Sequence, residues 1–519
     1  MDHAAGRRGL GAATVGPMLT VAAQRFRDRT AFVCVSTGRR VSFREANTRC
    51  NRLANGLTGL GLKKGDTVAF LCNNRAELPE IYYALAKTGL VGVPLNYRLA
   101  PLEVIALMRA MGAQALLFAT RFAACAEQAR AALPKVSRYV AIGDDGPAWA
   151  IPYEDLLARS PADEPDVAIA EEDPYYFNLT SGTTGLPKSY LLTQYNNALV
   201  GTMFEAFDMT SRDVAMTVFP AFGRVGFAWI AAGLLFGATN VLLDFHPAET
   251  LAAIERERVT IANLVPTMAA MLLAEPSRAA RDLSSLRGLV FAGSMFPAPL
   301  RERVVAELCP GVYEYYGMQE TGTLAVSTPE DRKLHPESVG VPLCFADIRI
   351  ERADGSVAAP DEIGEIVGRS PATCTAYFDN PARSAETFRG GYVHTGDLGS
   401  MNAEGFVFVK GRLKDMIVTG GQNVHAAEVE EVLLTAPGVA DCAVFGLPHE
   451  LWGERVAALV VTNASGSEVP TAEGLEAHCR ERLAGFKIPR MIHIQPEPLP
   501  RTPTGKVQKF LLVERFGVA

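Results

Sequence analysis

Residues 175–196 read YYFNLTSGTTGLPKSYLLTQYN, and the residue types in the middle of this stretch suit an anion. Thr180, Ser181, Thr183 and Thr184 supply rotatable hydroxyl donors. Gly182 and Gly185 let the backbone turn so that successive N–H groups converge, and Lys188 adds a positive charge. The apolar lead-in from Tyr175 to Leu179 has strand character. A phosphate group fits such a loop. The simple phosphate loop GxxxxGK[ST] is missed by one position, because Pro187 stands where its second glycine belongs and proline has no N–H to donate. Tyr190, Leu191 and Leu192 then read as a strand, where a phosphate-loop NTPase would open into a helix. A surface turn rich in Ser, Thr and Gly is the plain alternative, but it accounts for neither the apolar lead-in nor Lys188.

Three further stretches carry groups able to do chemistry. In YYGMQETG, residues 315–322, Glu320 is a hard oxygen ligand of the kind Mg2+ takes alongside phosphate oxygens, and Tyr316 offers a flat face. In GYVHTGDLG, residues 391–399, Asp397 follows a glycine, and a carboxylate can accept two hydrogen bonds from a pair of vicinal hydroxyls. In LPRTPTGKVQK near the end, Lys506 extends an amine from a glycine-bearing loop. Taken singly, each has a plainer reading: a solvated or ion-paired glutamate, a turn aspartate, a surface lysine.

Taken together and in this order, the phrases resemble the adenylate-forming superfamily, and the acyl-CoA synthetases within it, over nearly the whole chain. The resemblance implies that a carboxylic acid reacts with ATP in the presence of Mg2+ to give an acyl-adenylate, and that coenzyme A (CoA) then takes the acyl group. It assigns the β- and γ-phosphates to residues 180–188, and catalytic roles to Lys506, Glu320 and Thr184, with Glu320 on the metal. Gly293, Tyr316 and Gly317 are assigned to the nucleotide, Asp397 and Arg412 to its ribose, and Lys414 to the hinge of a mobile C-terminal domain. Phe222, Gly223, Phe227, Val265, Met268, Ala292, Met295 and Met318 are expected along the acyl pocket; because most are apolar, the acid should be hydrophobic, whether fatty, alicyclic or aromatic. LAGFKIPR, residues 483–490, is closer to the acyl-CoA synthetase form than to that of peptide-synthetase domains, which favours free CoA over a carrier protein.

Several positions depart from the family pattern. Gln194 and Gly223 stand where many relatives carry histidine, and Gln319 where threonine is common. Arg224, beside Gly223, is expected to be salt-bridged or solvated, with pairing to a second acid group on the substrate as the alternative. Ala426 replaces a usual proline, and Trp452 is expected in a core. A non-catalytic nucleotide-binding relative is the reading that Gln194 and Gly223 would favour. Retention of Glu320, Asp397, Arg412 and Lys506 opposes it.

The elements that must position these groups alternate between helix and short apolar strand from about Met18 onward, which predicts parallel, doubly wound sheets in two layered units. Ser42 and Glu45 form a capping box, followed by a helical stripe of Ala46, Cys50, Leu53 and Leu57. Strands are expected at residues 68–71, 90–93, 115–118, 139–142, 214–219, 239–243, 261–265, 288–291 and 312–315. From about Gly340 short alternating strands predict a small β-barrel or hairpin unit, and from Lys414 a smaller α+β unit. The domains are therefore placed at 1–17 for a flexible tail, 18–413 for the ATP- and acyl-binding domain, and 414–519 for the domain carrying Lys506.

The bulk composition is that of an ordinary globular protein: 519 residues, 48% hydrophobic and 21% charged. That length exceeds a single core. A formal net charge of -7 opposes a dedicated nucleic-acid surface, and no apolar run reaches membrane-spanning length. The nine cysteines are scattered and never spaced CxxC, so a reducing, cytoplasmic setting is expected. Oligomeric state has no signature in the sequence.

Overall fold

A computed structural model describes residues 13–180, 188–293, 296–419, 422–449, 452–462, 469–501 and 507–517. Among these residues four sheets form. The first has seven strands. Thr67–Leu71, Val91–Pro94, Ala115–Ala119, Arg138–Ile142, Ile151–Pro152 and Pro174–Thr180 run parallel, and Lys188–Thr193 returns antiparallel at the edge. The second has nine, with a parallel centre of Val214–Thr217, Thr239–Leu242, Ile261–Leu264, Gly288–Phe291 and Val312–Met318. This is the doubly wound arrangement that the alternation predicts. One strand lands elsewhere than sequence order suggests: Thr30–Cys34 joins the second sheet, pairing Phe32 with Asn240.

Helix Glu77–Thr88 lies at the centre of the large domain's core and is buried at all of its 12 residues. A helix with no solvent face must satisfy its charged side chains internally. Glu80 accepts from Arg49 Nε at 2.7 Å and from the Tyr153 hydroxyl at 2.7 Å. Lys87 Nζ donates to Asn47 Oδ1, Asn51 Oδ1 and Glu164 Oε2, each at 2.7 Å, and to Thr20 Oγ1 at 2.9 Å.

The end of the stretch expected as a flexible tail is helical. Helix Gly16–Phe26 packs on Phe43–Gly59, and Val15 is fully buried. Pro17 sits in the first turn, where its missing N–H leaves nothing unsatisfied, so it starts a helix and does not break one. The Val15 N–H donates to Gln194 Oε1 at 3.0 Å and the Ala13 N–H to Glu171 Oε1 at 2.8 Å. Ser42 caps Phe43–Gly59 by accepting from the Glu45 N–H, but the Glu45 carboxylate turns to Arg39, so half of the expected capping box forms.

The third unit is an antiparallel sheet of Asp347–Glu351, Gly364–Arg369, Phe388–Arg389, Tyr392–Met401 and Val407–Arg412. Of the two expectations, barrel or hairpin unit, it takes the second form and stays open, because the last two partners share one side of Tyr392–Met401 and neither pairs back to Asp347–Glu351. The turn Leu413–Asp415 leads into the fourth sheet. There Met416–Thr419, Gln422–His425, Val439–His449, Gly453–Thr462 and Met491–Gln495 pack against helices Ala426–Leu434 and Ala472–Arg480. Trp452 is 52% exposed, not core as expected. No described helix is long and apolar enough to cross a membrane.

Replacing Glu80 by Ala would strip Arg49 and Tyr153 of a buried acceptor. The Glu80→Ala protein is expected to lose about 3 kcal/mol or more of stability, read as a lower thermal midpoint, with Glu80→Gln losing less. An unchanged midpoint would show that the helix does not depend on this contact.

Candidate active site

The strands Pro174–Thr180 and Lys188–Thr193 form an antiparallel hairpin in which Thr180 stands opposite Lys188. A strand therefore follows the hydroxyl- and glycine-rich loop, as the sequence predicts, and the strand–loop–helix geometry of a phosphate-loop NTPase is absent here. Ser181, Gly182, Thr183 and Thr184 lie outside the described residues, as do the side chains of Thr180 and Lys188. The base of the hairpin is tied to the next candidate segment. Asn178 Nδ2 donates to Gln319 Oε1 at 2.9 Å, and the Tyr190 hydroxyl donates to the Gln319 carbonyl. Gln319, standing where a hydroxyl residue was expected, thus supplies a structural acceptor.

The strand expected to end at Tyr315 runs on to Met318 and turns back into Gly322–Ser327, with a register shift between Tyr316 and Gly317. The turn is so close that a Cβ on Gly317 would lie 2.1 Å from the Gly322 carbonyl oxygen. Only glycine fits. Across from this hairpin, Asp397 pairs in register with Arg412. Arg412 Nε lies 3.1 Å from Asp397 Oδ1, the Tyr316 hydroxyl donates to Asp397 Oδ2 at 2.8 Å, and the Asp397 N–H donates to Thr395 Oγ1. The residues expected at adenine and ribose therefore form one cluster. Burial first, and then the Asp397 charge, hold the Tyr316 phenol protonated well above its usual range.

Glu320 is 7% exposed, and Tyr377 donates to its Oε1 at 2.6 Å. Burial and the Glu320 charge raise the Tyr377 hydroxyl pKa, so it stays a donor. Tyr377 was not singled out in the sequence; its partner lies 57 residues away. Among the described residues the other Glu320 oxygen has no hydrogen-bond partner, and no group of three or more His, Cys, Asp or Glu could hold a metal. One half-free carboxylate fits Mg2+, which completes its shell with water and phosphate oxygens.

At the expected acid end, Phe222 meets Tyr97 edge-on at 5.4 Å. The loop before it is pinned by Asn74, which accepts from the Ala221 N–H and donates to the Phe219 carbonyl, each at 2.8 Å. Asn74 follows a parallel strand, Thr67–Leu71, and that position was the only sequence signal for it. Gly223 precedes helix Arg224–Phe236 in an extended conformation, and a Cβ there would meet only the Pro220 carbonyl, at 3.4 Å. Gly293 has φ +89°, and its nearest neighbour would be Val265 Cγ1 at 3.8 Å. Val265, Met268 and Met318 are half-buried and Ala292 is buried. Met295 lies outside the described residues.

Two expectations at this end need correction, and Gln194 finds its partners elsewhere. Phe227 is fully buried among Tyr82, Tyr83, Tyr175 and Tyr176, with ring centroids 4.8–6.4 Å apart, so it belongs to the core and lines no open pocket. Arg224 is buried rather than solvated and has no salt-bridge partner among the described residues; it donates to the carbonyls of Gln319, at 2.6 Å, and Ala372. Gln194 is buried against Val15 and the Ala86 carbonyl and serves the N-terminal helix. Lys506 and the Lys414 side chain lie outside the described residues.

Comparison with known proteins gives a consistent result. Residues 19–378 match the family model of the AMP-binding enzymes, and residues 428–506 that of the AMP-binding enzyme C-terminal domain. A feruloyl-CoA synthase of Amycolatopsis sp is 36% identical, covering 92% of this chain and 95% of the relative. A fatty acid–[acyl-carrier-protein] ligase of Streptomyces coeruleorubidus is 33% identical, covering 92% of each. The crystal structure of an anthranilate CoA ligase in complex with anthranoyl-AMP superposes with a TM-score of 0.87 at 27% identity, covering 97% of both chains.

The two glycines of the site should respond oppositely to a methyl group. Gly317→Ala must displace the main chain of the hairpin and is expected to destabilise by about 2 kcal/mol or more. Gly223→Ala meets only ordinary contact and should stay within about 0.5 kcal/mol of the parent. Thermal unfolding of both variants checks this, and equal losses would contradict the hairpin geometry.

Proposed function

The chain belongs to the AMP-binding enzyme family, and from that premise we propose that it is an ATP-dependent acid–CoA ligase acting on a hydrophobic carboxylic acid. The observation that carries the reading is the cluster in which the Tyr316 hydroxyl and Arg412 flank the Asp397 carboxylate while one oxygen of Glu320, braced by Tyr377, has no partner among the described residues.

In the first half-reaction a carboxylate oxygen of the acid attacks the α-phosphorus of ATP, the bond to the bridging oxygen breaks, and pyrophosphate leaves. Negative charge spreads over phosphate oxygens, so catalysis is positioning and charge stabilisation. Asp397 accepts hydrogen bonds from the ribose hydroxyls; among the described residues each of its oxygens has one protein partner and retains a lone pair. Tyr316 presents its ring to adenine, and residues 180–188 hold the β- and γ-phosphates. Glu320 would hold Mg2+, which offsets the charge of the leaving pyrophosphate when bound. Lys506 is assigned to the attacking carboxylate and the α-phosphate. In the second half-reaction the CoA sulfur attacks the acyl carbon and AMP leaves. We place the domain boundary and hinge at Lys414, in the turn between the third and fourth sheets, so that movement of 414–519 exchanges Lys506 for a path to the thiol.

The relatives named above act on aromatic and fatty acids, which supports a hydrophobic acyl group while leaving its size open. The carrier-protein ligase among them keeps a second acceptor in play. A non-catalytic role loses one of its two supports, since Gln194 has a structural task. Nine free thiols favour a reducing, cytoplasmic setting for the reaction.

The deciding experiment is mass spectrometry of products from Mg·ATP and a panel of acids, acetate through fatty to cyclic and aromatic, with CoA or a phosphopantetheinylated carrier protein as acceptor. Acyl-CoA is expected; no acyl-adenylate from any acid would overturn the reading. Lys506→Ala should lower adenylation by about 100-fold or more while leaving AMP affinity nearly unchanged. Gly223→Phe should shift preference toward smaller acids, because the Cβ direction there is open.

A further inference from the structure

Arg224 is 3% exposed, yet among the described residues its charge is not matched to a carboxylate. Its Nη1 donates to the Gln319 carbonyl at 2.6 Å, its Nη2 to the Ala372 carbonyl, and its Nε–H is buried with no partner among the described residues. Burying a guanidinium costs several kcal/mol, and main-chain carbonyls alone are a weak return unless their placement matters.

The two carbonyls belong to the two segments that hold Glu320. Gln319 precedes it in the hairpin turn. Ala372 lies in the turn whose Cys374 N–H donates to the Glu320 carbonyl at 2.9 Å, and whose Ser370 hydroxyl donates to the Thr321 carbonyl at 2.7 Å. That turn leads directly to Tyr377, the donor to the Glu320 carboxylate. The end of the helix carrying Arg224 is itself fixed. A Cβ on Gly226 would lie 2.5 Å from Ala221 Cα, and the Ala221 carbonyl accepts from the Tyr82 hydroxyl at 2.8 Å. One rigid fork therefore joins the segment bearing Glu320, the segment bracing it, and the helix that begins just after Gly223.

We propose that Arg224 is a positioning residue that aims the Glu320 carboxylate at Mg2+ by clamping both segments to the helix at the acid end of the cleft. This rests on the reading of Glu320 as the metal ligand. Geometry and not charge is the active property, because a lysine ammonium cannot span both carbonyls as the planar fork does.

The test uses the full-length protein and a non-hydrolysable α,β-methylene ATP analogue, whose affinity is measured by calorimetry with and without Mg2+, free of turnover. In R224K and R224M the gain in affinity that Mg2+ confers should fall about tenfold, while metal-free affinity and the thermal midpoint hold. On an E320Q background, which removes the ligand itself, R224K should add nothing. The proposal is overturned if R224K keeps the full gain, if metal-free affinity falls equally, or if the R224K and E320Q effects add. Should R224M fail to fold, R224K decides. If E320Q itself keeps the gain, the metal-ligand reading fails and the proposal fails with it; if E320Q loses the gain while R224K keeps it, only the proposal fails.

Discussion

A helix buried on every side leaves no water to solvate its charged groups, so Glu80 and Lys87 must find their partners within the protein. Arg49, Tyr153, Asn47, Asn51, Thr20 and Glu164 come from both sides of Glu77–Thr88 to meet them. The same helix reaches the site. The Tyr82 hydroxyl donates to the Ala221 carbonyl, while the Tyr82 carbonyl accepts from the Tyr175 hydroxyl at the start of the hairpin lead-in strand. The loop holding Ala221 and the strand that opens the Pro174–Thr193 hairpin are thus both referenced to one rod, which is why displacing either would cost core packing and not merely a surface contact.

Around that rod the candidate groups hang on hairpins and not on regular helix ends. Tyr316 leaves the nine-stranded sheet and Asp397 the antiparallel sheet, and their hydrogen bond joins the two, while Arg412 pairs with Asp397 from the neighbouring strand of the same antiparallel sheet. Each carboxylate in the site is held by a neutral hydroxyl donor, Tyr316 on Asp397 and Tyr377 on Glu320. Such donors fix direction without cancelling charge; Asp397 is in addition paired with the Arg412 guanidinium, whereas Glu320 has no cationic partner among the described residues.

The departures from the family pattern have different meanings once burial is known. Gln194 bonds to the N-terminal helix, so its change from histidine concerns how the chain start is anchored. At Gly223 a Cβ would meet only the Pro220 carbonyl, so its change is not forced by packing. Arg224, beside it in sequence, faces away from solvent and grips main chain. Adjacent residues with similar sequence-level interest thus belong to separate structural tasks.

The sequence by itself determined the family, the doubly wound order and most element positions, because these depend on local features: motif identity, hydrophobic period and turn residues. Strand Gly288–Phe291 falls on the residues expected for it, and the strand after the 180–188 loop excludes a phosphate-loop NTPase, both from patterns a few residues long. Only the tertiary structure decided that Thr30–Cys34 crosses to the second sheet, that Phe227 is core, that Tyr377 braces Glu320 and that Arg224 clamps two carbonyls. Each of those facts is a contact between residues far apart in the chain, where the free energy of burying a polar group or filling a space is set by partners that no local pattern contains.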